Sequence, residues 1–201
     1  MKNDNSKHVL LAVLGVAILI VAVVGVSFAA FSYSKTGTKV NTITTGTITM
    51  SYSETTNGIN LVDALPMTDT QGKALTGENN VFDFTVSATI TGTTTINYDI
   101  TATKEEGSNI DDSGVKVYLT DGGNPSESQI LAPTKISALS KTSSAASGAP
   151  DDQYILETGT ISATQSKNYR LRMWVADDYT NLGTSGTYKL RVNVYGKAAA
   201  Q

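Results

Sequence analysis

Residues 81–104 read VFDFTVSATITGTTTINYDITATK, and this stretch decides the fold. Phe82, Phe84, Val86, Ala88 and Ile90 alternate with Asp83, Thr85, Ser87 and Thr89. Ile96, Tyr98, Ile100 and Ala102 then alternate with Asn97, Asp99 and Thr101. A period of two sends successive side chains to opposite faces of a strand, so each run buries one face and wets the other. One-sided burial belongs to antiparallel sheets, because parallel strands are covered on both faces and read as continuous apolar runs. The Gly-Thr-Thr-Thr stretch at 92–95 separates the two runs and reads as a hairpin turn.

The pattern repeats outward from this centre. It recurs at Ile48, Met50 and Tyr52; at Val115, Val117 and Leu119; at Tyr169, Leu171, Met173 and Val175; and at Tyr188, Leu190, Val192 and Val194. Residues 155–161 add a shorter strand, and residues 181–186, with two glycines, read as the turn between the last two strands. Residues 130–139 have room for a short helix interrupted by Pro133, and residues 141–152, rich in Ser, Ala and Gly, read as an exposed loop. The expected fold is all-β: an antiparallel β-sandwich of the jelly-roll kind over residues 44–197, with a short tail at 198–201.

The N-terminus is different. Lys2, Lys7 and His8 precede residues 9–31, which carry no charge. At about 1.5 Å per residue such a run crosses a bilayer as a helix. The positive flank keeps the N-terminus inside and sends the rest of the chain out. Ser27 and Ala29 stand at the −3 and −1 positions of a cleavage site before Ala30, which reads residues 1–29 as a signal peptide. The length of the apolar run also suits an uncleaved membrane anchor. Either way the remainder is exported, as a secreted or surface-held protein.

Composition agrees with an exterior setting. Charged residues are 16% of the chain, below the roughly 25% usual for soluble domains. The net charge is −3 and no cluster of Lys and Arg appears, which argues against nucleic acid as a partner. There is no cysteine, so neither disulfides nor thiol chemistry enter.

Four motifs together carry a family resemblance: the Phe28-Ala29-Ala30-Phe31 junction, the Gly-Thr-Ile-Thr-Met strand at 46–50, the strands at 81–102, and YRLRMWVADD at 169–178. The chain resembles the TasA and camelysin group of exported Bacillota proteins that depend on a SipW-type signal peptidase. The resemblance implies a jelly-roll subunit, released by that peptidase and kept at the cell surface or in the biofilm matrix. It also implies self-assembly into fibres by donor-strand exchange, in which the freed N-terminal segment of one copy completes a sheet of the next. The candidate donor is residues 30–43, with Phe31, Tyr33, Val40 and Ile43 as its apolar anchors. A tether between membrane and domain is the alternative reading of that segment.

Catalytic chemistry is poorly supplied. The single histidine, His8, precedes the apolar run, so the exported part has neither a Ser-His-Asp triad nor a histidine zinc site. The metallopeptidase label that camelysin carries therefore does not transfer. Asp112-Ser113-Gly114 matches the triplet of aspartic proteases, but those enzymes need two such aspartates, and here it reads as a turn before Val115. Asp177 and Asp178, at a strand end, are weak metal candidates without the spacing of a calcium loop. Trp174 shares the polar parity of its strand with Arg170 and Arg172. An outward Trp there is either a contact surface for a glycan or protein, or lies under a loop in a second small core. Paired with Lys189, Arg191 and Asn193 of the last strand, the face would form a mildly basic stripe. The expectation is a non-enzymatic structural protein without cofactor, joining copies of itself or a matrix component; the alternative is an adhesion module.

Overall fold

The computed structural model describes residues 32–36, 41–45, 48–54, 59, 65–77, 79–91, 94–122, 127–180 and 186–199. The segment 1–29 read as signal peptide or membrane anchor, the junction residues Ser27, Ala29 and Ala30, and the anchors Phe31 and Val40 lie outside them. Among the described residues ten strands form two antiparallel sheets. The strands are β1 (Ser32–Thr36), β2 (Asn41–Thr45), β3 (Ile48–Glu54), β4 (Val81–Ile90), β5 (Ile96–Lys104), β6 (Val115–Asp121), β7 (Gln129–Lys135), β8 (Tyr154–Ile161), β9 (Gln165–Val175) and β10 (Leu190–Ala198). One sheet runs β1-β10-β5-β8 and the other β2-β3-β4-β9-β6-β7. Every connection crosses from one sheet to the other except those joining β2 to β3, β3 to β4 and β6 to β7.

The alternation found in the sequence builds the core between the sheets. From the six-stranded sheet come Met50, Tyr52, Phe84, Val86, Val117, Leu119, Tyr169 and Leu171, all buried. The four-stranded sheet answers with Ile96, Tyr98, Ile100, Ala102, Val192 and Val194. Phe84 ties its own sheet together, with Tyr169 stacked at 5.1 Å and Tyr52 tilted at 5.7 Å between ring centroids, spacings at which aromatic pairs attract beyond simple burial. The Tyr98 and Tyr169 hydroxyls meet across the core at 3.3 Å, and Lys167 bonds Glu157 from sheet to sheet at 2.8 Å.

Three local expectations change. The stretch at 92–95 is not a hairpin, because β4 lies in the six-stranded sheet and β5 in the four-stranded one. Five residues, 91–95, reach about 16 Å when extended, enough to pass the ~10 Å between stacked sheets. The bulky inward rows of β4 and β5 thus face each other across the core. The last two strands also part: β9 pairs with β4 and β6, β10 with β5 and β1. Their outward residues therefore form no common basic stripe. Residues 130–139 form no helix beyond the single 3-10 turn Ile136–Ala138, and the rest is β7. Pro133 fits there because β7 is a sheet edge, where its missing N–H costs no ladder bond.

Two segments outside the sheets were not legible as covers. A one-turn helix, α1 (Asp69–Lys73), is held by a capping box between Thr68 and Gln71. Residues 141–152, read as an exposed loop, instead bury Thr142, Ser147 and Ala149, and Gln153 directly after them is buried too.

Candidate functional site

The sequence singles out Arg170, Arg172 and Trp174, the outward row of β9. The structure places all three together, but under cover. Trp174 is 1% exposed and lies against Gly72 of α1. The segment carrying α1 is fastened to β9 at several points. Met67 donates its backbone N–H to Val175 at 3.0 Å, and Arg172 Nε donates to the Leu75 carbonyl at 2.8 Å. Lys116 of β6 binds Asp69 at 2.7 Å and lies 3.6 Å from Asp177, and the hydrogen bond to Asp69 raises its pKa. Trp174 therefore belongs to a second small core on the outer side of the six-stranded sheet and offers no exposed platform.

The two arginines are equally committed. Arg170 grips Asp83 through Nε and Nη2 at 2.7 and 2.8 Å, a bidentate pairing, and reaches Glu127 through Nη1 at 2.7 Å. Arg172, whose side chain is 4% exposed, bonds both oxygens of Glu127, at 2.7 and 3.1 Å. Glu127 consequently titrates far down, at about 2, mainly because Arg172 hydrogen-bonds its charged form; Arg170 is pushed up, first by Asp83. Two guanidiniums and two carboxylates balance. With its donors directed at neighbours, this cluster holds chain segments together and leaves little for an anionic partner.

The other candidates fall into place similarly. Asp178 is bound by Lys135 at 2.7 Å and Asp177 faces Lys116; cations of the chain itself occupy the neighbourhood a metal would need. Among the described residues no group of three or more metal-binding side chains converges. Asp112-Ser113-Gly114 forms a 3-10 turn directly ahead of β6. The Asp112 carboxylate accepts hydrogen bonds from Tyr154, from Tyr188 at 2.9 Å and from Lys104 at 2.9 Å. Burial alone would raise its pKa, but these donors override that and lower it. Tyr154 is pushed up to about 12 by burial and by Asp112, and Tyr188 is raised for the same two reasons. The triplet is a hub joining β5, β8 and the approach to β10. Of the donor-strand candidates, Tyr33 and Ile43 fall in β1 and β2, whose backbones pair with β10 and β3.

Sequence reasoning missed a buried polar layer. On the outer side of the four-stranded sheet, Asp99 and Thr101 of β5 and Asn193 and Tyr195 of β10 are all buried beneath residues 140–153. Gln153 enters this layer from the covering segment and donates from Nε2 to the Tyr195 hydroxyl at 2.9 Å. Ser147 donates to Asp99. The polar parity of Asp99, Thr101 and Asn193 points them outward correctly; nothing in a period of two tells that a strap lies over them. The smallness of Ser143, Ser144, Ala145, Ala146, Ser147 and Gly148 is the signal that a segment lies close to a sheet.

Compared with protein-family models, curated proteins and solved structures, the chain matches none.

Proposed function

We propose that this chain is an exported structural protein of the cell surface or biofilm matrix, with a domain of the jelly-roll type, and that copies of it join by exchanging their N-terminal strands. One observation carries the reading: β1, which is nearly the first stretch after the candidate cleavage site, forms the edge of the four-stranded sheet. It pairs antiparallel with β10 from Ser32↔Lys197 to Thr36↔Asn193. An edge strand held by one neighbour in its own chain is the element most readily supplied by another copy, since the same register then forms between molecules. The frequent crossing of connections between the sheets supports the jelly-roll assignment. Cleavage after Ala29 would leave this strand at the free N-terminus.

The adhesion reading loses its main support, because its proposed platform, Trp174, is buried. The test is electron microscopy of the protein recovered from the culture, with its N-terminal residue determined. Filaments built from a chain beginning at Ala30 are the expected result. A protein that begins at Ala30 and stays monomeric at high concentration would overturn the assembly mechanism. A chain still beginning at Met1 would make residues 1–29 an anchor.

A further inference from the structure

We propose that Thr101 and Gln153 are placed to form an intramolecular ester, a covalent staple that fastens the covering segment 140–153 to β5. This inference is independent of whether the protein assembles. The Thr101 hydroxyl oxygen lies 2.5 Å from Gln153 Oε1, closer than an ordinary hydrogen bond. With a carbonyl bond of about 1.23 Å and an ordinary acceptor angle, the same oxygen stands about 3.3 Å from the carboxamide carbon, within attacking distance once the carboxamide turns its face from the hydrogen-bonded orientation toward the hydroxyl. Thr101 is 0% exposed and Gln153 9%, so bulk water scarcely competes as the nucleophile.

The surroundings supply what acyl transfer needs. Asn193 Nδ2 stands 3.4 Å from the same Oε1, a second donor where negative charge develops. Asn193 Oδ1 is buried without a hydrogen-bond partner; turning that amide would move the deficit to nitrogen, not remove it. The Tyr195 hydroxyl stands against Nε2, the leaving nitrogen. Asp99 occupies the same outward row of β5, two residues before Thr101, and is the direct cross-strand partner of Tyr195. It is 5% exposed and forms no ion pair among the described residues.

The step balances without a further reactant. The Thr101 oxygen bonds to the Gln153 carbonyl carbon, and the bond from that carbon to Nε2 breaks. The Thr101 proton ends on the departing nitrogen, relayed by the Tyr195 hydroxyl that lies against Nε2, with Asp99 as the base of the same buried layer. One ammonia leaves and nothing is oxidised or reduced. The product ties the strap to an interior strand of the four-stranded sheet in a chain that has no cysteine to do so.

Mass spectrometry of the purified, denatured full chain tests this directly. The expected mass is lower than that of the sequence by one ammonia. A tryptic digest should contain residues 74–104 joined to residues 142–167, a species that hydroxylamine separates. Thr101→Ser should keep the link; Thr101→Val should restore the full mass. Because the unmodified chain gives the primary readout, a variant that fails to fold leaves the test standing. A wild-type protein at its full sequence mass, with the two peptides recovered separately, would overturn the proposal. An undiminished link in Asp99→Asn would overturn the proton route through that carboxylate.

Discussion

Gly72 and Trp174 show how a single contact decides the meaning of a residue. A Cβ built on Gly72 would lie 2.3 Å from two carbons of the Trp174 indole, far inside van der Waals contact. Only a hydrogen fits there, and that is how a short helix comes to rest flat on a large ring. Gly72→Ala should therefore cost about 1–3 kcal/mol, the range for overpacking a filled site. Trp174 is the single tryptophan of the chain, so its fluorescence reports the cover alone. The expected outcome is a red-shifted emission with a lower urea midpoint; emission and midpoint both unchanged would mean that α1 does not press on the indole. The sequence placed Trp174 on the outward parity correctly and left its burial open. A strand period says which side a residue takes, while burial on that side depends on a segment a hundred positions earlier.

At the scale of elements, the strands themselves were readable and their partners were not. Residues 82–90, 96–102, 115–119, 155–161 and 169–175 all fall in strands, because alternation is a property of each segment by itself. Sheet membership depends on which inward rows fill the core together, and so the two expected hairpins became crossings between sheets. β9 is where most of these relations meet, since it pairs on both sides and carries the arginines that hold the α1 segment and Glu127. Its bond to Glu127 makes a pH prediction. Glu127 has its pKa lowered to about 2, against about 4.3 for an unperturbed glutamate. A depressed carboxylate stabilises the fold above the unfolded value, and that stabilisation is lost as pH falls toward the folded one, because the unfolded chain then binds more protons. Unfolding free energies from urea titrations of the wild type and Glu127→Gln should differ by roughly 3 kcal/mol at neutral pH. The gap should close as pH is lowered from about 4.3 toward 2. A gap of constant size over that range would show that the carboxylate charge is not what holds Arg172.

The described residues from Ser32 onward form a two-sheet core with a cover on each outer side, one fastened by arginines and α1, the other by a polar layer. The strand exchange proposed above would fall at a sheet edge, and β1 is the edge strand formed nearest the N-terminus among the described residues. The identity of the chain that supplies β1 can be read with a disulfide, since the protein has no cysteine of its own. Ser32 and Lys197 are directly opposed across β1 and β10. Opposed residues of antiparallel strands have Cα atoms about 4.5–5.5 Å apart, within the roughly 4.4–6.8 Å that a disulfide spans. The Ser32→Cys, Lys197→Cys protein should therefore close its bond within one chain when oxidised as a monomer, and run as a monomer on a non-reducing gel. If strands exchange on assembly, the same protein kept reduced, grown into filaments and then oxidised should give a ladder of covalent multimers, because the two thiols now come from neighbouring copies. Filaments that oxidise to monomers alone would show that β1 stays with its own chain and that the contact between copies lies elsewhere on the fold.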